Sequence, residues 1–224
     1  VLQPHPPQRP SPFRVKVYEV SLFFVNCFCR FLHKLHCLRE RHNPTMTMNF
    51  PQVGVVGAGA MGQGIAQVSV QAGSTVLLQD ARAGAAQAAI EAIEAQWRNM
   101  SEKGRATSEQ TSQWRKALQV ADDISELAQC TLVIEAIVED RHAKHVLFEQ
   151  LESVVAVDAV LASNTSSLSI TELACGLRQP GRFCGFHFFN PVPLMKLVEV
   201  VPGLRTHSAV CESLADFARK MGHT

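Results

Sequence analysis

The ten-residue run Val53-Gly54-Val55-Val56-Gly57-Ala58-Gly59-Ala60-Met61-Gly62 constrains this chain more than any other stretch. A short apolar run enters a G-x-G-x-x-G cluster, and a helical pattern from Ile65 to Gln71 follows at once. Each glycine has a separate physical task. Gly57 permits the tight turn after a strand, Gly59 lets a pyrophosphate approach the backbone, and Gly62 lets the new helix pack on the sheet. The helix then directs its free N–H groups and the positive end of its dipole at the phosphates. Glycine-rich turns recur by chance, so the strand before and the helix after carry the argument. A second apolar run, Thr75 to Gln79, ends at Asp80, about twenty residues further on, where an acid that binds ribose is expected.

Downstream, strand and helix patterns alternate. Helical patterns cover 84–103 and 108–118, with Ser108 as the expected N-cap of the second. Together they predict a helical hairpin with Lys103 and Arg105 near its tip, where an anionic ligand could be met. Strands are expected at 131–136, 159–162, 182–186 and 196–201, with helices at 141–154 and 208–221. The alternation defines a Rossmann-type, doubly wound α/β fold with a mainly parallel sheet. In such sheets ligands gather at the carboxyl ends of the strands. Glu139, Ser166 and His187 fall at such ends.

Residues 1–49 do not match the rest and read as a disordered or non-native leader, ahead of a dinucleotide-binding domain over 50–224. The first twelve residues are proline-rich and without apolar periodicity. Cys27, Cys29 and Cys37, with His33 and His36, are zinc-ligand types, but their spacing fits no common finger and no metal is expected. Met46 and Met48 stand directly before the first strand, where a natural start would leave a short leader. Seven cysteines among 224 residues, irregularly spaced, read as reduced thiols of a cytoplasmic protein. A net charge of +1 gives no reason to expect nucleic acid or an anionic membrane as partner.

The polar groups at the strand ends carry the chemistry. Ser163-Asn-Thr-Ser-Ser167 is a burst of hydroxyls after an apolar strand, able both to cap a helix and to bond a ligand. His187 lies among Phe186, Phe188 and Phe189, a setting that would suit a core histidine equally well. Glu199 sits in a valine-rich strand and is expected to be buried, so it needs a partner. His187 is the natural one, and a histidine oriented by a carboxylate is a general-base pair.

From about Phe50 onward the chain resembles the 3-hydroxyacyl-CoA dehydrogenases, especially the bacterial 3-hydroxybutyryl-CoA type. Four stretches carry the likeness: 57–66, Ile134-Glu-Ala-Ile-Val-Glu139, Ser163-Asn-Thr-Ser-Ser167 and His187-Phe-Phe-Asn-Pro-Val-Pro193. The resemblance implies NAD as cofactor, held by Gly57, Ala58, Gly59, Ala60, Met61 and Gly62. Asp80 would take the adenosine ribose, and Glu139, Lys144, Ser166 and Asn190 would lie along the rest of the cofactor. It implies that Ser166 binds the 3-oxygen of an acyl-CoA substrate, with Lys103 near the CoA phosphates. His187 would be the general base, Glu199 its orienting partner, and Asn190 part of the site floor. The reaction implied is oxidation of an (S)-3-hydroxyacyl-CoA to the 3-oxoacyl-CoA.

Members of the family continue into an all-helical second domain that completes the substrate cleft and forms most of a homodimer interface. The sequence read here stops before it, so weak NAD binding and little turnover are expected of this stretch alone. Two other readings stand beside this one: a related NAD-dependent dehydrogenase of another hydroxy acid, and a non-catalytic NAD-binding protein. Retention of Ser166, His187, Asn190 and Glu199 together argues against the latter.

Overall fold

The structure, a computed structural model, describes residues 48–224. The sequence features of the leader, including Cys27, Cys29, His33, His36 and Cys37, lie outside the described residues. Seven strands form one sheet: β1 (Gln52–Val56), β2 (Thr75–Gln79), β3 (Leu118–Ala121), β4 (Leu132–Glu135), β5 (Val160–Ser163), β6 (Phe183–Phe188) and β7 (Val198–Pro202). Their spatial order is β3-β2-β1-β4-β5-β6-β7. All neighbours run parallel except β6 and β7, which are antiparallel. The helices are α1 (Ala60–Gln71), α2 (Ala85–Glu102), α3 (Ser108–Ala117), α4 (Arg141–Val154), the short α5 (Ile170–Leu173) and α6 (Ser208–Lys220). The expected doubly wound α/β fold is thus observed.

Strand order reverses at β1, whose neighbours β2 and β4 connect on opposite sides of the sheet. In doubly wound sheets the crossover chains part at such a reversal, which here lies beyond the carboxyl ends of β1 and β4. Both faces of the sheet are covered. One core contains Val53, Val55, Ile65, Val76, Leu78, Trp97, Phe186 and Phe188 under α1, α2 and α6. The other contains Val133, Phe148, Leu151, Leu161 and Phe183 under α4 and α5. Central parallel strands buried on both faces read as unbroken apolar runs, which is why they were legible.

Three local details depart from the sequence reading. The N-cap of α3 is Thr107, and Ser108 is the first helical residue. The Thr107 hydroxyl accepts from Gln110 N–H at 3.1 Å, and the Gln110 side chain accepts from Thr107 N–H at 2.8 Å. Both residues are good caps, but only Thr107 has a glutamine three places on to reciprocate. Leu118 does not end that helix; it opens β3, a four-residue edge strand paired to β2. Finally, β6 runs two residues further than expected, so His187 lies within a strand and not after it. The α2–α3 hairpin itself is present, joined by Trp97 against Trp114 with ring centroids 5.6 Å apart.

Candidate active site

The glycine turn is built as its spacing demands. Gly57 has φ +106°, and a Cβ there would stand 2.5 Å from the Ala136 carbonyl oxygen. At Gly62 a Cβ would fall 1.7 Å from the Gly57 carbonyl oxygen, so any side chain would push α1 off the turn. Gly59 differs: its missing Cβ faces open space, with no atom within 4 Å. It is also the N-cap of α1 and offers no side-chain cap, which leaves first-turn N–H groups of the helix to an outside acceptor. Ala58 is buried, Ala60 is exposed, and Met61 is half-buried against the core.

Asp80 ties the end of β2 to this turn. One carboxylate oxygen accepts from Ala58 N–H at 2.8 Å, and the other accepts from Arg82 N–H at 2.9 Å and Arg82 Nε at 3.1 Å. Burial opposes its ionisation, but the bonds from the Arg82 side chain, Ala58 and the Arg82 backbone outweigh that and hold its carboxyl below the usual range. An open backbone cradle, an uncapped helix N-terminus and a carboxylate at the next strand end fit a dinucleotide. The pyrophosphate would sit over Gly59 and the ribose diol on Asp80.

The second group lies beyond β4. Asp140 caps α4 by accepting from Ala143 N–H at 2.7 Å, which points the first turn back toward the strand end. Lys144 on that turn is wholly buried, with Nζ 2.5 Å from Glu135 Oε1 and 3.2 Å from Glu139 Oε2. The other Glu139 oxygen accepts from the Thr165 hydroxyl at 2.5 Å, Ser166 N–H at 3.1 Å and the Ser167 hydroxyl at 3.1 Å. Burial opposes the charge on Glu139; the Thr165 bond and the Lys144 ammonium prevail and lower its pKa. Lys144 and Glu139 are thus held by the protein itself, while 37% of the Glu139 side chain stays accessible. Ser166 is exposed, and its hydroxyl bonds to none of the described residues.

The third group is set by strand pairing. In the antiparallel register of β6 and β7, His187 stands directly opposite Glu199. His187 Nδ1 lies 2.9 Å from Glu199 Oε2, and the ring makes no other hydrogen bond among the described residues. Phe186 and Phe188 face the core on the other side of the pleat, while Phe189 packs beside the His187 ring with centroids 4.6 Å apart. Glu199 corrects the sequence reading: its side chain is 38% exposed and not buried. The reason is position, because β7 is the last strand of the sheet and no described strand pairs along its outer flank.

Asn190 lies exposed on the turn after β6, its side chain unbonded among the described residues. Lys103 is also exposed, at the tip of the α2–α3 hairpin. No hydrogen bond or ion pair joins it to the group around Ser166 and His187. Two residues escaped the sequence reading. Glu135 is the buried anchor of Lys144, and its one signal was a charged residue closing an apolar strand. Asn164 accepts from Phe188 N–H at 2.8 Å and so ties the Ser166 loop to the strand that carries His187.

Residues 52–224 match the family model described as 3-hydroxyacyl-CoA dehydrogenase, NAD binding domain. Among similar proteins, the 3-hydroxyadipyl-CoA dehydrogenase of Escherichia coli K12 is 43% identical, over 79% of this chain and 37% of its own length. A probable 3-hydroxybutyryl-CoA dehydrogenase of Bacillus subtilis is 40% identical, over 79% of this chain and 62% of its own length. The crystal structure of a 3-hydroxybutyryl-CoA dehydrogenase from Escherichia coli K12 superposes with a TM-score of 0.78 at 42% identity. That match covers 79% of this chain and 38% of the other. The chain thus spans 62% or less of the length of these relatives. It belongs to the 3-hydroxyacyl-CoA dehydrogenase family, as the NAD-binding domain of that family.

Proposed function

We propose that this chain serves the NAD-dependent oxidation of an (S)-3-hydroxyacyl-CoA to the 3-oxoacyl-CoA. The observation that carries the reading is the His187–Glu199 pair, bonded at 2.9 Å through Nδ1, with Nε2 left for a substrate proton. Bound NAD would supply the hydride acceptor. The residues of the chain then do the rest. Glu199 fixes the tautomer and orientation of the ring, so that His187 Nε2 can take the hydroxyl proton of the substrate. Ser166 Oγ, without a partner among the described residues, donates to the 3-oxygen and holds it toward His187. Asn164 keeps the two elements in register. Glycines 57, 59 and 62 with Asp80 hold the other end of the dinucleotide, and Asn190 borders the nicotinamide end.

An acyl-CoA as substrate, a homodimer as the working assembly and a cytoplasmic location complete the reading. The family resemblance supports the first two. The free thiols of Cys130, Cys175, Cys184 and Cys211 support the third. Among the described residues no helix is long and apolar enough to cross a membrane. The test is NADH-dependent reduction of acetoacetyl-CoA by the whole enzyme that carries this domain. His187→Gln should lower turnover about 10³-fold, in the range of general-base loss, and leave NADH affinity within twofold of the parent. Unchanged turnover in that variant would remove the proposal.

A further inference from the structure

We propose that Glu135 is a positioning residue that, through Lys144 and Glu139, fixes the backbone around Ser166. The substrate role of Ser166 rests on the dehydrogenase reading above; the linkage itself does not. Glu135 is completely buried at the end of β4, where a lone carboxylate would be strongly unfavourable. Every direction around it is filled. Oε1 accepts from Lys144 Nζ at 2.5 Å and from Ile137 N–H at 2.8 Å, while Oε2 accepts from the Ser163 hydroxyl at 2.6 Å. These donors come from α4, from the loop after β4 and from β5, so the carboxylate has one position.

The pinned carboxylate gives the Lys144 ammonium one position too. A lysine stem is long and flexible, and without a buried anion its charged end would leave the apolar interior for water. Held here, the ammonium also reaches Glu139 Oε2 at 3.2 Å. Glu139 Oε1 then collects Thr165, Ser166 and Ser167. Thr165 Oγ1 in turn accepts from Leu168 N–H at 3.0 Å, closing the loop onto the next turn. Charges alternate along this path, negative, positive, negative. Lys144 is the one cation that Glu139 pairs with among the described residues. An ion pair that merely filled space would end on itself. This one shares its ammonium with an accessible carboxylate, and that carboxylate grips the Ser166 backbone while leaving the Ser166 hydroxyl unbonded among the described residues.

Amide hydrogen exchange followed by NMR on the purified chain tests the linkage. The decisive protein is the double variant Glu135→Gln/Lys144→Met. Its glutamine oxygen can still accept from Ile137 N–H while its amide nitrogen donates to the Ser163 hydroxyl, and its methionine fills the lysine volume, so no buried charge is stranded. We expect β1 amides such as Val55 to exchange as in the parent, while the Ser166 amide exchanges about tenfold faster. The single variant Glu135→Gln should show the same local change wherever it folds, and the double variant decides if it does not. Parental protection of Ser166 in the double variant would overturn the proposal and make the pair a filler of space. So would equal acceleration at Ser166 and Val55. The measurement needs neither cofactor nor turnover, so failure of this linkage and failure of the dehydrogenase reading are told apart.

Discussion

Two side-chain pairs on one sheet, the ion pair of Lys144 with Glu135 and the hydrogen-bonded pair of His187 with Glu199, are built in opposite ways. Lys144 and Glu135 have side chains 1% and 0% exposed, whereas His187 and Glu199 are 17% and 38% exposed. The first sits at the end of the central strand β4, where both faces of the sheet are covered; the second joins β6 to the last strand β7, beside water. The consequence is a division of labour. A buried pair whose lone pairs are all met is fixed in charge and place, which suits holding other groups still. A pair open on one side is cheaply solvated and leaves a ring nitrogen for proton exchange. On the proposed dehydrogenase reading, one is the frame of the site and the other its moving chemistry.

The largest effect that can break this contrast is on stability. Lys144→Met alone leaves Glu135 buried and unpaired, and we expect a loss of about 3–5 kcal/mol in urea unfolding. A loss below about 1 kcal/mol, the scale of exposed pairs, would mean that Glu135 finds solvent and that the two pairs are alike. Next comes Glu199→Gln. It should cost under about 1 kcal/mol of stability but lower turnover of acetoacetyl-CoA and NADH about 10²-fold, with NADH affinity unchanged. Equal loss of stability and turnover would erase the distinction from the other side.

Smaller again is Asp80→Asn, which keeps the bond to Ala58 N–H but removes the anionic acceptor for a ribose diol. NADH affinity, read by fluorescence titration, should fall about tenfold, or about 1.4 kcal/mol. Unaltered affinity would detach Asp80 from the cofactor.

Acid has the slightest effect. Asp80 and Glu139 both have pKa values lowered in the folded state. The unfolded chain therefore binds more protons than the native one in the acid range. Stability from these groups is fully present above the ordinary carboxylate pKa, about 4, and is lost as pH falls through the lower folded values. The urea midpoint should hold steady from neutral pH down to about 5 and decline below about 4. A midpoint that rises on acidification would contradict the bonding described for both carboxylates.

The parts legible in the sequence were those governed by local rules. Gly57, Gly59 and Gly62 announced the turn because backbone sterics demand glycine at two of those places and leave the third open to a ligand. Apolar runs announced β1, β2, β4 and β5, since strands covered on both faces need no alternation. The span of α4, Arg141–Val154, was also read in full, its start marked by the capping Asp140. What failed was short or depended on a neighbour. Leu118-Gln-Val-Ala121 continues a helical pattern, and only pairing with β2 makes it a strand. His187 was placed past its strand because aromatic residues signal burial without saying on which face of a pleat they lie.

The sequence by itself determined the fold class and the dinucleotide turn, and it singled out Ser166, His187 and Glu199 as candidate polar groups. Tertiary structure alone decided how those groups are held. The antiparallel register that sets His187 against Glu199, the edge position that leaves Glu199 half open, and the grip of Glu135 on Lys144 all join residues of different strands and helices. Such distances depend on how elements pack, and packing has no period that a linear sequence can display.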